Sequence, residues 1–484
     1  LPPAIPGLKR QLLLTRLVQA LEGADVPVDH SARLAFELGR LLDQVQTERL
    51  SFDNLADLVP ADLAEHWQIT LDFLEILTKE WPNILDAEGC LDPAERRNQL
   101  LDAQTQNWRN APPEGPVIAA GSTGSIPATA DLLDLIASLS TGSVILPGLD
   151  QSLSGDEVAA LESTHPQFGM YHLLERMSVA PQDVLPWPHL SETSEDHRAT
   201  LINTALRPAI SLSTWRQQPQ LSEAAFDGLD YAECPTQEEE TGIIALMMRE
   251  VLETPGKTAA LVTPDRELAR RVTAQLHRWD IDIDDSAGTS LSLTPPATFL
   301  RLCSEMIRDG FRPVSLLAFG KHPLAAAGYD PAGFRRLIRL LEVTVLRGPL
   351  PSPGLDGIRR LVGPKETALL SLLDDLDDRT AELQALLAQE EAELKALAVA
   401  HIETTQKLAA TDQESGSDRL WSGDDGEAAA AFMSEILESA DVLPAINGIS
   451  YPALLDALMA GRAVRPRYGR HPRLNIWGLL EARL

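Results

Sequence analysis

The stretch VIAAGSTGSIPATADLLDLIASLSTGSVILPGLDQS, residues 117–152, decides how the rest of the chain is read. Val117 to Ala120 is a short apolar run of the kind that forms a buried parallel strand. Gly121 to Ser125 is a loop of small residues. The next segment, Ile126 to Leu139, predicts a helix: Pro127 suits the first turn, and Leu132, Leu133, Leu135, Ile136 and Leu139 supply an apolar face. Gly142 breaks it, and Val144 to Leu146 is a second apolar strand that runs into the loop Pro147 to Ser152. Strand, polar loop, helix, strand, polar loop is a βαβ unit. In open parallel sheets, ligands bind at loops on the carboxyl ends of strands, where both of these loops fall.

This arrangement resembles the first motor domain of superfamily-one DNA helicases of the UvrD and RecB type. In that family the first strand ends in Asp-Glu-x-x-Asp, which holds Mg²⁺ and the attacking water. The second ends in Gly-Asp-x-x-Gln-Ser, which senses the γ-phosphate. Here the first loop reads Ala120-Gly121-Ser122-Thr123-Gly124-Ser125, with neither carboxylate. The second reads Gly148-Leu149-Asp150-Gln151-Ser152: the Gln and Ser remain, Leu149 replaces the first Asp, and the loop is one residue short. The wording of both strands is similar to the B subunits of AddAB helicase–nucleases of the alphaproteobacterial type, and the resemblance extends over the whole chain.

With 484 residues, two to four domains are expected. No apolar run approaches the ~20 residues of a membrane span. The chain opens Leu1-Pro2-Pro3 without an initiator Met or a signal peptide and closes on Glu481-Ala482-Arg483-Leu484, so it reads as an internal piece of a longer protein. Cys90, Cys234 and Cys303 are scattered and odd in number, which suits three buried thiols in a reducing cytoplasm.

The net charge of −30 opposes general attraction to nucleic acid, so DNA contact requires a local basic surface. The densest basic stretch is RAVRPRYGRHPR, residues 462–473. Arg462, Arg465, Arg467, Arg470 and Arg473 interleave there with Tyr468, a pattern suited to tracking a backbone and stacking bases. A solvated face, or one that docks an acidic partner, is the competing reading. Arg96 and Arg97 are a second, weaker candidate.

Residues 8 to 110 read as helices, the last beginning cleanly at Asp92-Pro93 with Asp as its cap. His165 and His172 have no ligand-spaced neighbours and read as loop-capping residues. A second α/β unit starts near Leu229. Leu229 to Ala232 predicts a strand, Thr236 caps a helix with acids in its first turn, Ala259 to Val262 predicts a buried strand, Asp265 caps the helix to Trp279, and Ile281 to Ile283 predicts a further strand. Gly256-Lys257-Thr258 imitates a phosphate loop but lacks its upstream glycine and would follow a helix rather than a strand. Asp282, Asp284 and Asp285 read as a solvated turn. From Leu369, the leucines at 373, 376, 383, 387, 394 and 397 predict one long helix packed along a seam, with Thr380 and Glu390 as its polar exceptions. Leu474 to Trp477 predicts a strand that returns to the second sheet.

The expected fold is α/β with large helical subdomains, and the resemblance implies two RecA-like parallel-sheet units. The corresponding segments are a helical subdomain (1–112), part of the first unit (113–225), part of the second (226–310), a helical insertion (311–448) and a return to the second unit (449–484). No complete active site is expected. The resemblance leaves Ser122, Thr123 and Gln151 as remnants of a nucleotide site, with Arg216 as a guess for the arginine that the family supplies between its domains. It further implies an AddA-like motor subunit as partner, single-stranded DNA as ligand, and ATP and Mg²⁺ as cofactors of the complex rather than of this chain. The implied function is a non-catalytic, helicase-like part of a double-strand-break repair subunit that guides single-stranded DNA and takes part in recognising a recombination hotspot. A working nucleotide-dependent helicase and an acidic protein-binding scaffold are the alternatives.

Overall fold

The computed structural model describes residues 1–23, 26–52, 74, 76–187, 197–211, 221–465 and 471–483. The chain is α/β, mostly helical, with small parallel sheets. It forms two compact units: residues 1–4, 42–59 and 84–234, and residues 5–41, 60–83 and 235–484. The helix α1 (Gly7–Glu22) packs within the second unit, although it opens the expected N-terminal helical subdomain. Among the described residues no helix is long and apolar enough to cross a membrane.

In the first unit, helix α2 (Pro93–Asn110) precedes strand β1 (Val117–Ala120), helix α3 (Pro127–Ser138), strand β2 (Gly142–Ile145) and helix α4 (Phe168–Arg176). β1 and β2 are parallel, in register from Val117 opposite Gly142 to Ala120 opposite Ile145. The βαβ reading therefore holds. Ala130, Leu133 and Leu173 form its small core, with Ala119, Val144 and Leu146 packed on from the sheet. Gly142 is required for a spatial reason, since a Cβ there would lie 1.8 Å from the Ile136 carbonyl oxygen. Asp92 marks the start of α2 as expected, but its carboxylate does not cap the helix; it accepts a hydrogen bond from Gln46 Nε2 at 2.9 Å. Leu229 to Ala232 is not a strand: among the described residues no ladder reaches it, and Tyr231 is 88% exposed. Of its four residues only Tyr231 favours a strand, and Asp230 and Ala232 disfavour one.

The second unit contains helix α5 (Gln237–Val251), strand β3 (Ala259–Val262), helix α6 (Arg266–His277) and strand β4 (Asp284–Asp285). Thr236 and Asp265 cap α5 and α6 through their side chains, as their positions predict. The turn at Gly256-Lys257 joins α5 to β3, so it follows a helix, unlike a phosphate loop. A short antiparallel pair, β5 (Thr289–Ser290) with β6 (Ala463–Val464), follows β4. Strand β7 (Leu474–Trp477) inserts between β3 and β4, parallel to both. Leu474 and Ile476 pack on Ala245 and Met248 of α5 and on Ala269, Val272 and Leu276 of α6. Ile281 and Ile283 join this core, but the ladder begins one residue later than the expected strand ends, at Asp284.

Between β5 and β6 the chain builds its largest core from helices α7 (Pro295–Arg308), α8 (Pro313–Gly320), α9 (Pro331–Leu341), α10 (Thr367–Leu387), α11 (Leu394–Ala409), α12 (Gly423–Ser439) and α13 (Tyr451–Met459). The leucine seam is buried throughout, but the long helix is two helices that pack against each other. Ala392 breaks the run by exchanging backbone hydrogen bonds with Ile446, at 2.8 and 2.9 Å. Of the cysteines, only Cys303 is fully buried; Cys90 and Cys234 are half-buried, contrary to the expectation of three buried thiols.

His401 of α11 lies wholly inside this core. Its Nε2 donates to the Leu300 carbonyl at 2.9 Å, which leaves Nδ1 to accept from the Tyr451 hydroxyl at 3.0 Å. Burial drives its pKa down to about 4, against the opposing pull of the Leu300 carbonyl. The unfolded chain therefore takes up a proton near pH 6.5 that the folded chain refuses. Stability from this residue is complete above pH 6.5 and is lost as the pH falls toward 4, by about 3 kcal/mol in all. Thermal unfolding followed from pH 7 to pH 4 should show a falling Tm, and His401→Gln should flatten that dependence while lowering Tm at pH 7.

Candidate functional site

The loop after β1 is pinned by Gly121, whose N–H donates to the Ile145 carbonyl at 3.3 Å. Gly121 and Gly124 have φ of 80° and 63°, the left-handed region that glycine enters freely. Ser122 Oγ accepts from the Gly124 N–H at 3.4 Å. Thr123 lies against α4 at Gly169, where an added Cβ would be 3.4 Å from the Thr123 carbonyl oxygen. The loop thus closes on itself with hydroxyls and backbone, and residues 121–125 contain no carboxylate.

The loop after β2 is held by its own side chains. Asp150, 4% exposed, accepts from the Ser152 N–H at 2.9 Å and from Ser152 Oγ at 2.6 Å. The Asp150 N–H donates to Gln167 Oε1 at 3.0 Å, Gln167 Nε2 donates to the Gly148 carbonyl at 2.9 Å, and the Tyr171 hydroxyl donates to the Asp150 carbonyl at 2.6 Å. Burial, with the charges of Asp150 and Glu157, raises the Tyr171 pKa. Gln151 Nε2 donates to the carbonyls of Pro181 and Val184, at 2.6 and 2.8 Å. Both amide hydrogens that a phosphate sensor would offer are engaged by that turn.

Behind this loop lies a cluster that the sequence reading missed. Glu157 closes a capping box with Ser154, accepts from Ser211 Oγ at 2.5 Å, and pairs with Arg207 at 3.2 Å. Arg207 also reaches Ser152 Oγ at 3.5 Å. The capping box was legible as Ser154-x-x-Glu157; the contacts from Arg207 and Ser211, some fifty residues away, had no local signal. Burial alone would raise the Glu157 pKa, but the hydrogen bonds from Ser211 and Ser154 and the charge of Arg207 bring it down to about 2. An open cavity of about 540 Å³ beside the cluster is lined mainly by apolar side chains, among them Leu153, Val158, Phe168, Tyr171 and Leu174. His165 holds the neighbouring turn, with Nε2 at 2.6 Å from the Leu206 carbonyl and Nδ1 accepting from the Gln167 N–H at 3.1 Å, which is the loop-capping role expected of it. His172 instead stacks on Phe168 and faces Glu175 at 3.7 Å.

The basic stretch is divided by its contacts. Arg462 pairs with Glu435 at 2.8 Å and lies 4.9 Å over the Phe432 ring. Arg473 donates to the carbonyls of Leu252 and Thr254, at 3.2 and 2.9 Å, and so caps the C-terminal end of α5. Arg465 is exposed at the end of β6, beside a cleft that also contains Asp424 and Glu427. Arg467, Tyr468 and Arg470 lie outside the described residues, as does Arg216. Arg96 and Arg97 donate to the Pro2 carbonyl and to Thr47 Oγ1, at 2.9 and 2.7 Å. The aspartate turn is held by its neighbours: Arg266 pairs with Asp285 at 2.7 Å, and His277 Nδ1 lies 3.2 Å from Asp282 Oδ1. Among the described residues no group of three or more His, Cys, Asp or Glu side chains is arranged to hold a metal ion.

No family model matches the chain, and no curated protein matches it.

The Glu157 cluster makes a checkable prediction for the first unit. Glu157→Ala leaves the Arg207 guanidinium, 18% exposed, without its counter-ion, and should destabilise by roughly 3 kcal/mol in urea unfolding. Because the folded pKa of Glu157 is depressed, its contribution is present above about pH 4.5 and fades toward pH 2. The wild-type and variant curves should therefore converge at low pH.

Proposed function

We propose that this chain is a helicase-like, non-catalytic part of a DNA double-strand-break repair subunit, one that binds and guides single-stranded DNA beside an AddA-like motor. In this reading its two parallel sheets are parts of two RecA-like units, and ATP and Mg²⁺ serve the motor. The observation that carries it is β7: after the helical segment the chain re-enters the second sheet between β3 and β4, which is the return that an inserted helical subdomain requires. The chemistry of the first sheet agrees with a non-catalytic role. Nucleotide hydrolysis needs a Mg²⁺-holding carboxylate and a group that positions water. The first loop has only hydroxyls, Asp150 is engaged by Ser152, and Gln151 holds the turn at 181–184.

The test is single-stranded DNA binding by the whole chain, titrated across salt with and without Mg-ATP. Salt-sensitive binding that ignores Mg-ATP is expected. Arg465→Ala and Arg467→Ala should each flatten the dependence of log K on log salt by about 0.7. ATP-dependent binding, or hydrolysis, would favour the working enzyme instead, and absence of binding the protein scaffold.

A further inference from the structure

Helix α9 carries a basic face that the density of arginines elsewhere in the sequence conceals. Residues 331–347 contain four arginines, Arg335, Arg336, Arg339 and Arg347, and a single acid, Glu342. Phe334, Ile338 and Leu341 are 0–2% exposed and fix the opposite side of the helix in the core. That orientation turns Arg335, Arg336 and Arg339 into solvent. These three side chains make no ion pair or hydrogen bond with the described residues.

The one acid does not neutralise them. Glu342 is matched twice, by Lys321 at 2.8 Å and Arg347 at 2.9 Å. A π turn, Glu342–Leu346, continues α9 and carries this ion-paired group; such turns distort helical hydrogen bonding and recur at functional positions. With Lys321 the segment carries five cations against two carboxylates, Glu342 and the N-cap Asp330, which is engaged by the Gly333 N–H, on a chain whose net charge is −30. At physiological salt, fields decay over about 8 Å, so a surface ligand senses this face rather than the distant acids.

We propose that this face binds the phosphate backbone of duplex nucleic acid. Guanidinium groups offer paired donors that match phosphate oxygens, and all the unpartnered cations of α9 are arginines rather than lysines. A bilayer surface fits less well, because a helix binds there through a broad exposed apolar face, whereas Phe334, Ile338 and Leu341 are buried and only Leu340 and Val343 stand exposed near the arginines. The proposal stands apart from the single-strand reading, which concerns Arg465 and its neighbours, and the test separates the two.

The experiment compares a labelled duplex and a labelled single-stranded oligonucleotide by fluorescence anisotropy across salt, using the whole chain. The variant combines Arg335→Gln, Arg336→Gln and Arg339→Gln. Its duplex affinity should drop about tenfold or more near 50 mM salt, and its salt slope should flatten by about 2 to 3. Single-strand binding should not change, whereas Arg465→Ala should show the reverse pattern. The single variant Arg336→Glu, checked to melt like wild type, should also weaken duplex binding. Absence of duplex binding by the wild type, or equal duplex affinity in both α9 variants, overturns the proposal. So does displacement of the duplex by polyglutamate at equal charge concentration, which would identify an acidic protein as the occupant, or binding to anionic vesicles in place of the duplex.

Discussion

The second unit depends on the hydrogen bonds that β7 makes on both sides. β3 and β4 are neighbours in sequence but not in the sheet, and the strand that joins them arrives only at Leu474. Without it, β4 would be a two-residue segment with no ladder, and Leu474 and Ile476 would leave the core shared by α5 and α6. The excursion between β4 and β7 is long, but closure entropy grows only logarithmically with loop length, by about 0.6 kcal/mol per doubling. A segment that supplies most of a core, as α7 to α13 do with Leu8 and Leu12 of α1, therefore adds little further cost to closing the sheet. Arg473 strengthens the junction by capping the carbonyls beyond α5 immediately before the strand begins.

The first sheet shows the opposite economy. Its two loops occupy the positions where α/β sheets bind ligands, yet their polar groups face one another. Asp150 accepts from Ser152, Gln167 spans Gly148 and Asp150, and Gln151 holds a neighbouring turn. The Asp150 carboxylate is buried and turned into its own loop by two hydrogen bonds to one oxygen, and an amide that donates twice to carbonyls has no proton left for a phosphate. The loops stand where such sheets bind ligands, but their polar groups are spent on internal contacts.

Features governed by local rules could be read from the sequence. β1, α3 and β2 followed from apolar runs around a glycine break, Thr236 and Asp265 from cap positions, and β7 from a short apolar run after the basic stretch. Features set by distant partners could not. Asp92 has the sequence of a cap, but Gln46 takes its carboxylate. The leucine spacing is continuous through Leu387 and Leu394, but Ile446 offers the backbone of Ala392 a partner outside the helix. His401 looks unremarkable among the alanines of its helix, and only the arrival of Leu300 and Tyr451 makes it a core residue fixed in one protonation state. Leu229 to Ala232 is a short segment with one β former, Tyr231, and joins no ladder among the described residues.

Density of charge and availability of charge are different properties, and this chain separates them. Its guanidiniums are largely absorbed where acids or carbonyls come close: Arg301 by Asp456, Arg359 by Asp356 and Asp374, and Arg419 by the carbonyls of Ala409 and Leu324. Within the basic stretch at 462–473, Arg462 and Arg473 serve the fold in the same way. A cation contributes to ligand binding only if its ligand replaces water rather than an existing partner, because breaking an internal pair takes back most of the gain. The three arginines of α9 meet that condition through helical geometry alone. Their apolar neighbours at Phe334 and Ile338 fix which side of the helix is buried, and the spacing of the sequence turns the charges to the other.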